Sequence, residues 1–523
     1  MFATTRSTDP LWMADSAAAV YPRLEHDQLR VDVAVVGAGI TGITAARELL
    51  AAGRTVALVD SHQVASGVSA RTTAHLTEVL DTRYHEIERQ FGPEAATLVA
   101  RSQRAAIEYI FETAAAANID CGLERVTGYL LAERRDQLDE LKHERGACLR
   151  AGVTVEPGEP LLPFPTRAAL CFPNQAQFHS RQYLLPLVED FQRRGGHVFE
   201  RTHVIAVHEG EPCHLYTQHG PELQAEHVIL ATHSPLNRVL IQTKLAQYRS
   251  YVVAGAVERG PEGLFWDMED PYHYVRTARV GSQSYLLVGG ADHKTAIPEE
   301  GVDPYAELRS YAARFGVLDT PYQWSAQVVE SADGLPFVGL NARSECVYVA
   351  TGFSGNGMTF GTMAGHILSD LCQGKANPYA DLYQATRVKP MASLGSYLSE
   401  NSDFPMHLVA DWMRPAEVHS PREIARGEGK ILRQGSRRLA VYCDDAGRMH
   451  SVSPVCTHLG CIVKFNAAER TWDCPCHGSR FDADGAVLDG PAKRPLEPRT
   501  LAPDTADKPS RDISAVPEPR HHV

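Results

Sequence analysis

A chain of 523 residues has room for about three domains at roughly 150 residues each, which excludes a single small binding module. Its 44% hydrophobic and 22% charged residues, with 40 Gly and 32 Pro, are the proportions of a folded chain with patterned cores and not of a disordered or fibrous one. A net charge of −13 argues against nucleic acid or an anionic membrane as the main partner. No run approaches about 18 uninterrupted apolar residues, so no membrane span is expected. The opening MFATTRSTDPLWMADSAAAVYPRLEHD has neither secretory nor twin-arginine character, which gives a cytoplasmic expectation.

After an N-terminal arm over 1–30, the apolar, β-branched run 31–36 predicts a buried strand that ends in GAGITG. Apolar residues then recur at helical spacing from Ile40 to a cap at Gly53, and 56–59 reads as a second strand, which makes a βαβ unit. Pro93 opens a helix through Ala117, and another covers 135–150 as part of an inserted layer. Strand-like segments between His197 and Thr232 return the chain to the first sheet, and 272–290 reads as a hairpin. The strand 347–351 runs into GFSGNGMTFGTMAGHILSDL, a glycine-rich turn and helix of phosphate-binding type. A connector without strong period spans 376–417, short strands with frequent turns follow from 418 to 503, and a disordered tail is expected over 504–523.

The loop Gly37-Ala38-Gly39-Ile40-Thr41-Gly42 lies between a strand and a helix, and Asp60, with Ser61 beside it, ends the next strand. Each part has a job in dinucleotide binding. Gly37 permits the tight turn, Gly39 lets a pyrophosphate approach the helix N-terminus at Thr41, Gly42 lets helix and strand pack closely, and Asp60 can accept hydrogen bonds from ribose hydroxyls. The loop alone does not choose between FAD and a nicotinamide.

Three further pieces sharpen it: GVSARTTAHLT at 67–77, DGLPFVG at 333–339 and VYVATGFSGNGM at 347–358. With these the region from Val31 to Gly374 resembles the glycine oxidase, sarcosine oxidase and D-amino-acid oxidase superfamily of flavoproteins. That resemblance implies FAD, with Arg71, Thr72 and Thr73 beside the flavin ring. It places Gly352, Gly355, Asn356, Gly357 and Met358 against the ring, where a helix N-terminus favours negative charge, and Val204 at the adenine. Members with covalent flavin carry a histidine where Arg71 stands or a cysteine just before the DGLP-type segment. This chain has neither, so noncovalent FAD is expected.

Four of the eleven cysteines fall between Cys456 and Cys476, in Cys456-Thr457-His458-Leu459-Gly460-Cys461 and Cys474-Pro475-Cys476-His477-Gly478-Ser479. A zinc site, a catalytic dithiol and a Rieske cluster are the readings to weigh. A CxxC redox motif is absent, and the two loops offer more ligands than a tetrahedral zinc needs. The C-x-H-x-x-C and C-x-C-H spacing fits a 2Fe-2S cluster held by two thiolates and two imidazoles.

Residues 418–503 resemble the disulfide-containing Rieske proteins of cytochrome bc type. The resemblance implies Cys456 and Cys474 on one iron, His458 and His477 on the other, and a Cys461–Cys476 disulfide across the loops. It also implies a hydrogen bond from Ser479 to a cluster sulfur and a shielding loop that begins at Gly490-Pro491. Phe481 stands where a tyrosine donor is expected, so the potential should lie below that of high-potential members. A Rieske oxygenase would need a mononuclear-iron domain after the cluster, and only residues 478–523 follow His477.

The expected fold class is therefore α/β. A discontinuous FAD-binding Rossmann-like domain (31–80, 171–240, 330–375) surrounds an inserted α+β substrate domain (81–170, 241–329), and an all-β Rieske domain follows. A flavin takes two electrons as hydride and a 2Fe-2S cluster carries one, so the pair converts two-electron into one-electron chemistry. By analogy with the family, the substrate is a small amine or amino acid. The added domain argues for a dehydrogenase with an external protein or quinone partner. A reductive or tailoring flavoenzyme fed through the cluster, or a redox sensor or electron carrier without a substrate, are the alternatives. Tyr274 and Arg276 match the region that grips a substrate carboxylate in the family, Tyr248, Arg249 and Tyr251 form a second candidate set, and His233 and His293 read as structural.

Overall fold

In the computed structural model, the described residues are 7–502 apart from 28, 237–239, 298–300, 388–411 and 413. Most of the expected connector and all of the expected tail lie outside them.

The βαβ unit forms as its local pattern predicts: strand Leu29–Val36, helix Ile40–Ala51 and strand Val56–Val59. Leu29–Val36 sits between Val56–Val59 and Glu222–Leu230 in parallel register, with Val347–Thr351 and His197–Phe199 extending the sheet on either side. A parallel sheet covered on both faces needs apolar residues at successive positions, and Val33, Ala34, Val35 and Val36 are all buried. Helix Ile40–Ala51 packs against helix Gly357–Cys372 across glycines: a Cβ on Gly361 would lie 2.7 Å from Ile40, and one on Gly365 would lie 2.7 Å from Thr44. This close contact sets two helix N-termini side by side.

A second, nine-stranded sheet runs in the order Tyr322–Ser331, Leu245–Val257, Gln283–Lys294, His273–Val280, Leu264–Asp267, Glu124–Ala132, Ala168–Gln177 and His75–Leu76, with Glu156–Gly158 as a branch, among the described residues. Two of its strands fall in segments expected in the first domain. Ala168–Gln177 pairs with Glu124–Ala132, and His75–Leu76 pairs with residues 176–177. Such pairings join residues distant in sequence, and local periodicity does not report them. Helices Pro93–Ala116 and Leu138–Ala151 lie within a residue or three of the predicted spans.

The C-terminal region holds a three-stranded sheet (Gly429–Gln434, Arg437–Cys443, Met449–Val452) and a four-stranded one (Lys464–Asn466, Thr471–Asp473, Arg480–Phe481, Val487–Asp489). It docks on the second sheet through a buried polar network. Glu469 accepts hydrogen bonds from the hydroxyls of Tyr305 and Ser325 and lies 3.5 Å from Arg249 and 3.4 Å from Arg480. Arg480 also pairs with Asp473 at 3.2 Å, and Asn466 donates to the Tyr251 hydroxyl at 3.1 Å. Burial and the like charge of Arg480 push the Arg249 guanidinium down, and the Glu469 carboxylate opposes them. Burial would raise the Glu469 carboxyl, but Arg249 and Arg480 hold it below its usual value. Removing one member of a buried ion cluster leaves charge uncompensated, at a cost of about 3–5 kcal/mol. Glu469→Ala is therefore expected to lower the free energy of unfolding by about that amount in denaturant titrations, and Glu469→Gln, which fills the same space and keeps one acceptor oxygen but loses the charge and sets an amide N–H donor among the guanidiniums, by somewhat less.

Candidate functional site: a dinucleotide cavity beside a cysteine–histidine centre

A cavity of about 710 Å³ opens at the C-terminal edge of the parallel strands. Gly37 turns there with φ +107°, and a Cβ on it would lie 2.3 Å from the Ala231 carbonyl oxygen. Helix Ile40–Ala51 begins at Gly39 without a side-chain cap. Its first N–H groups keep their charge for the cavity, apart from that of Ile40, which donates to the Ser69 hydroxyl at 3.0 Å. Asp60 accepts from the N–H groups of Ala38 (2.7 Å) and His62 (2.8 Å). Burial raises its carboxyl above the usual value against those two donors. Helix Gly357–Cys372 also starts without a side-chain cap, because Asn356 accepts from the Asp81 N–H and donates to the Val79 carbonyl. Two uncapped helix N-termini and a glycine-lined floor suit an anionic dinucleotide.

Most of the sequence-predicted cofactor residues border this cavity. Gly37, Ala38, Gly39, Thr41, Asp60 and Ser61 line one part, Arg71, Thr72 and Thr73 another, and Val204, Gly355, Asn356, Gly357 and Met358 the rest. Gly42 and Gly352 stand behind the wall. A Cβ on Gly42 would lie 1.9 Å from the Gly37 carbonyl oxygen, so it serves close backbone packing, and Gly352 turns with φ +78°.

The candidate substrate residues divide. Tyr274 lines the cavity with Tyr272, Trp266, His75, Ser250 and Asp81. Its hydroxyl lies 2.9 Å from the Ser250 hydroxyl, and Ser250 is the polar side chain that stabilises the Asp292 carboxylate against burial. Burial pushes the Asp292 carboxyl up to about 7, against the Ser250 hydrogen bond and with the Asp81 charge. Burial and the Arg276 charge hold His75 well below its usual value, so it is neutral.

Arg276 is not brought to the cavity. Its guanidinium is buried against the carbonyls of Thr73 (2.9 Å), Ala74 (2.9 Å) and Phe178 (3.2 Å), under Trp12 of the N-terminal arm. It ties the 71–74 segment to the second sheet. Tyr251 also lies elsewhere, 2.8 Å from His293 Nε2 in the docking network, and Arg249 belongs to the same network. His233 lines the cavity with Nε2 3.1 Å from the Gln327 carbonyl.

The two C-terminal loops face each other. Cys456 and Cys474 are buried free thiols hydrogen-bonded to each other. Cys456 receives backbone N–H bonds from His458 and Leu459, and Cys474 from Cys476 and His477. Such donors favour thiolate and tune a bound metal. The rings of His458 and His477 stand 4.9 Å apart and nearly perpendicular. Burial, with the neighbouring His458, lowers His477 to about 4, which leaves the neutral imidazole a metal requires. Cys461 and Cys476 form a disulfide across the loops, with Cys474 Sγ within 4.8 Å of both of its sulfurs. The Ser479 hydroxyl bonds to Cys456 and accepts from the Ala492 N–H at 3.1 Å. This donor set, two thiols and two imidazoles beneath a disulfide, fits a 2Fe-2S cluster and not a four-thiolate site.

Fold and site together define a flavoprotein of two-domain flavin architecture joined to a Rieske-type iron–sulfur domain. Residues 32–371 match the family described as FAD dependent oxidoreductase, and residues 414–501 match the Rieske [2Fe-2S] domain. The chain belongs to the FAD dependent oxidoreductase family, and its cofactors are FAD and a Rieske 2Fe-2S cluster. It is 34% identical over 492 residues to YhfW of Bacillus subtilis (strain 168), named as a Rieske 2Fe-2S iron-sulfur protein, with 93% of this chain and 96% of that one covered. The chloroplastic cytochrome b6-f complex iron-sulfur subunit of Triticum aestivum is 37% identical over 110 residues, 21% of this chain and 45% of that one. Among solved structures, glycine oxidase from Geobacillus kaustophilus superposes with TM-score 0.57 at 19% identity, covering 69% of this chain and all of that one. L-proline dehydrogenase from P. horikoshii superposes with TM-score 0.57 at 17% identity, covering 69% and 98%. Among the described residues no helix is long and apolar enough to cross a membrane.

Sequence patterns missed Ser69, Asp81, Ser250, Asp292 and Lys493. Ser69, Ser250 and Lys493 lie in or beside segments the sequence singled out, but each reaches its place through non-local pairing or domain docking, as do Asp81 and Asp292. Arg71 stands where covalent-flavin members carry a histidine, and among the described residues no cysteine borders the cavity. Acid precipitation is accordingly expected to leave the yellow chromophore in the supernatant; colour retained on the pellet would show a covalent link.

Proposed function

We propose that the protein is an FAD-dependent dehydrogenase of a small amine or amino acid that passes electrons singly through its Rieske cluster to an external acceptor. One contact carries this reading. Gln327 belongs to the cavity wall, with Ala326 and Val328 on either side, and its side chain donates to the Gly478 carbonyl at 3.2 Å, next to His477. Gly478 has φ +68°, and a Cβ on it would lie 2.2 Å from Gln327 Nε2, so the approach depends on glycine. A docked cluster loop at the wall of a flavin cavity supports direct electron exchange within one chain.

When bound, FAD supplies a two-electron hydride acceptor and the cluster a one-electron carrier. The chain's own residues prepare the substrate. Hydride leaves a neutral amine more readily than an ammonium, and the Tyr274–Ser250–Asp292 chain offers a route for the ammonium proton. Asp292, with a carboxyl near 7, is the acceptor. Tyr272, Tyr274 and Trp266 line the same cavity, and aromatic rings suit a cationic amine.

The reading is tested by anaerobic titration with a panel of amines and amino acids, followed by visible absorbance and EPR. A substrate should bleach the flavin first and then bring up a rhombic Rieske signal. If no panel member bleaches the flavin while a reduced donor fills the cluster first, electrons run the opposite way.

The Asp292 carboxyl is neutral below about 7 and accepts a proton only above it. The rate of flavin reduction should therefore rise with pH through about 7. Asp292→Asn should lose that rise and slow reduction by about 10²-fold, the lower range for a removed general base, as read by stopped-flow absorbance.

A further inference from the structure

The cavity wall is not built from the flavin and substrate domains alone. Residues 486–490, Lys493 and Pro495 of the Rieske domain also line it. We propose that this loop completes the FAD site, with Lys493 as a cofactor-binding residue, so that flavin retention depends on the docked Rieske domain. The proposal rests on the reading of the cavity as the FAD site.

Three observations support it. First, Lys493 Nζ donates to the Ile205 carbonyl, beside Val204, the residue expected at the adenine. That bond places an ammonium at the rim of a cavity suited to a dinucleotide with an anionic pyrophosphate. Arg23 and Arg201 line the same cavity, as do the acidic Asp60 and Asp489, so Lys493 joins two arginines instead of standing as an isolated surface charge. Second, the loop is held from the cluster side. Gly490 has φ +88°, and a Cβ on it would lie 2.7 Å from Ser479 Cα. The Ala492 N–H donates to the Ser479 hydroxyl, and the Thr457 hydroxyl donates to the Arg494 carbonyl. Third, Ser479 is bonded to Cys456, an expected iron ligand. The residues covering the cluster are thus continuous with those closing the flavin cavity, and one loop is a wall of both centres.

Any ligand that touches a docked domain holds it docked, and by linkage docking slows loss of the ligand. A hydrogen bond to a charged group is worth about 1.5–3 kcal/mol, so loss of the Lys493 contact should speed release by about tenfold or more.

The test uses the full chain with both cofactors. FAD release after dilution is followed by recovery of flavin fluorescence, and cluster content by EPR. Lys493→Ala should release FAD at least about tenfold faster, Lys493→Glu faster still, and Lys493→Arg near the unsubstituted rate. Equal release rates in all of them, with the cluster retained, would overturn the proposal. If a substitution costs the cluster, hydrogen exchange on the unsubstituted chain decides. Faster exchange over 486–495 after FAD removal supports the shared wall, and identical exchange refutes it. No amine substrate enters either measurement, so a failed amine panel and a failed Lys493 series are separate results.

Discussion

Everything that links the two redox centres depends on a carboxylate placed between two buried guanidiniums. Glu469 reaches from a turn of the Rieske domain into the second sheet, where Arg249 is 1% exposed and Arg480 is nearly as deep. Burying such charges is unfavourable unless each is paired and hydrogen-bonded, and here Tyr305, Ser325 and Asp473 complete the set. The yield of this arrangement is specificity of docking more than stability. An apolar patch would let the domain slide or rotate, whereas a directional network has one register. That register brings Gly478 against Gln327 and Lys493 against Ile205.

The cavity at the C-terminal edge of the parallel strands is organised by backbone. Close glycine packing sets helices Ile40–Ala51 and Gly357–Cys372 together, and their uncapped N-termini bound the same space. Each carries partial positive charge within its first turn only, so the effect needs the short separation that Gly361 and Gly365 permit. The buried arginine in the neighbourhood, Arg276, acts through structure. Three backbone carbonyls absorb its donors and lock the 71–76 segment to the second sheet, fixing the wall along which Arg71, Thr72 and Thr73 lie.

What could be read from the chain alone follows the range of the forces involved. The βαβ unit and the helix at Pro93 arise from periodicity and caps within a few residues, and they appear where the pattern puts them. The cysteine–histidine loops were legible because metal ligation fixes residue type and spacing together. Arg276 was misplaced because a guanidinium suits a carboxylate and a cluster of carbonyls equally well; only the fold shows that Thr73, Ala74 and Phe178 surround it. Asp292 and Gln327 left no signal, and the loop that holds Lys493 was legible only as a cover for the cluster, since each depends on strands or domains meeting from far apart in sequence.

The loop after Phe481 brings these threads together. In an isolated Rieske fold, such a loop has only to keep water from the cluster. Here its inner face meets Ser479 and its outer face meets the flavin cavity, so any movement that exposes one centre disturbs the other. A domain that swung away to meet an acceptor would break the Glu469 ion cluster, the Gln327–Gly478 bond and the Lys493–Ile205 bond together. These contacts lie on separate elements and must open at once. The geometry therefore favours a fixed, docked arrangement of the two domains over shuttling by a mobile one.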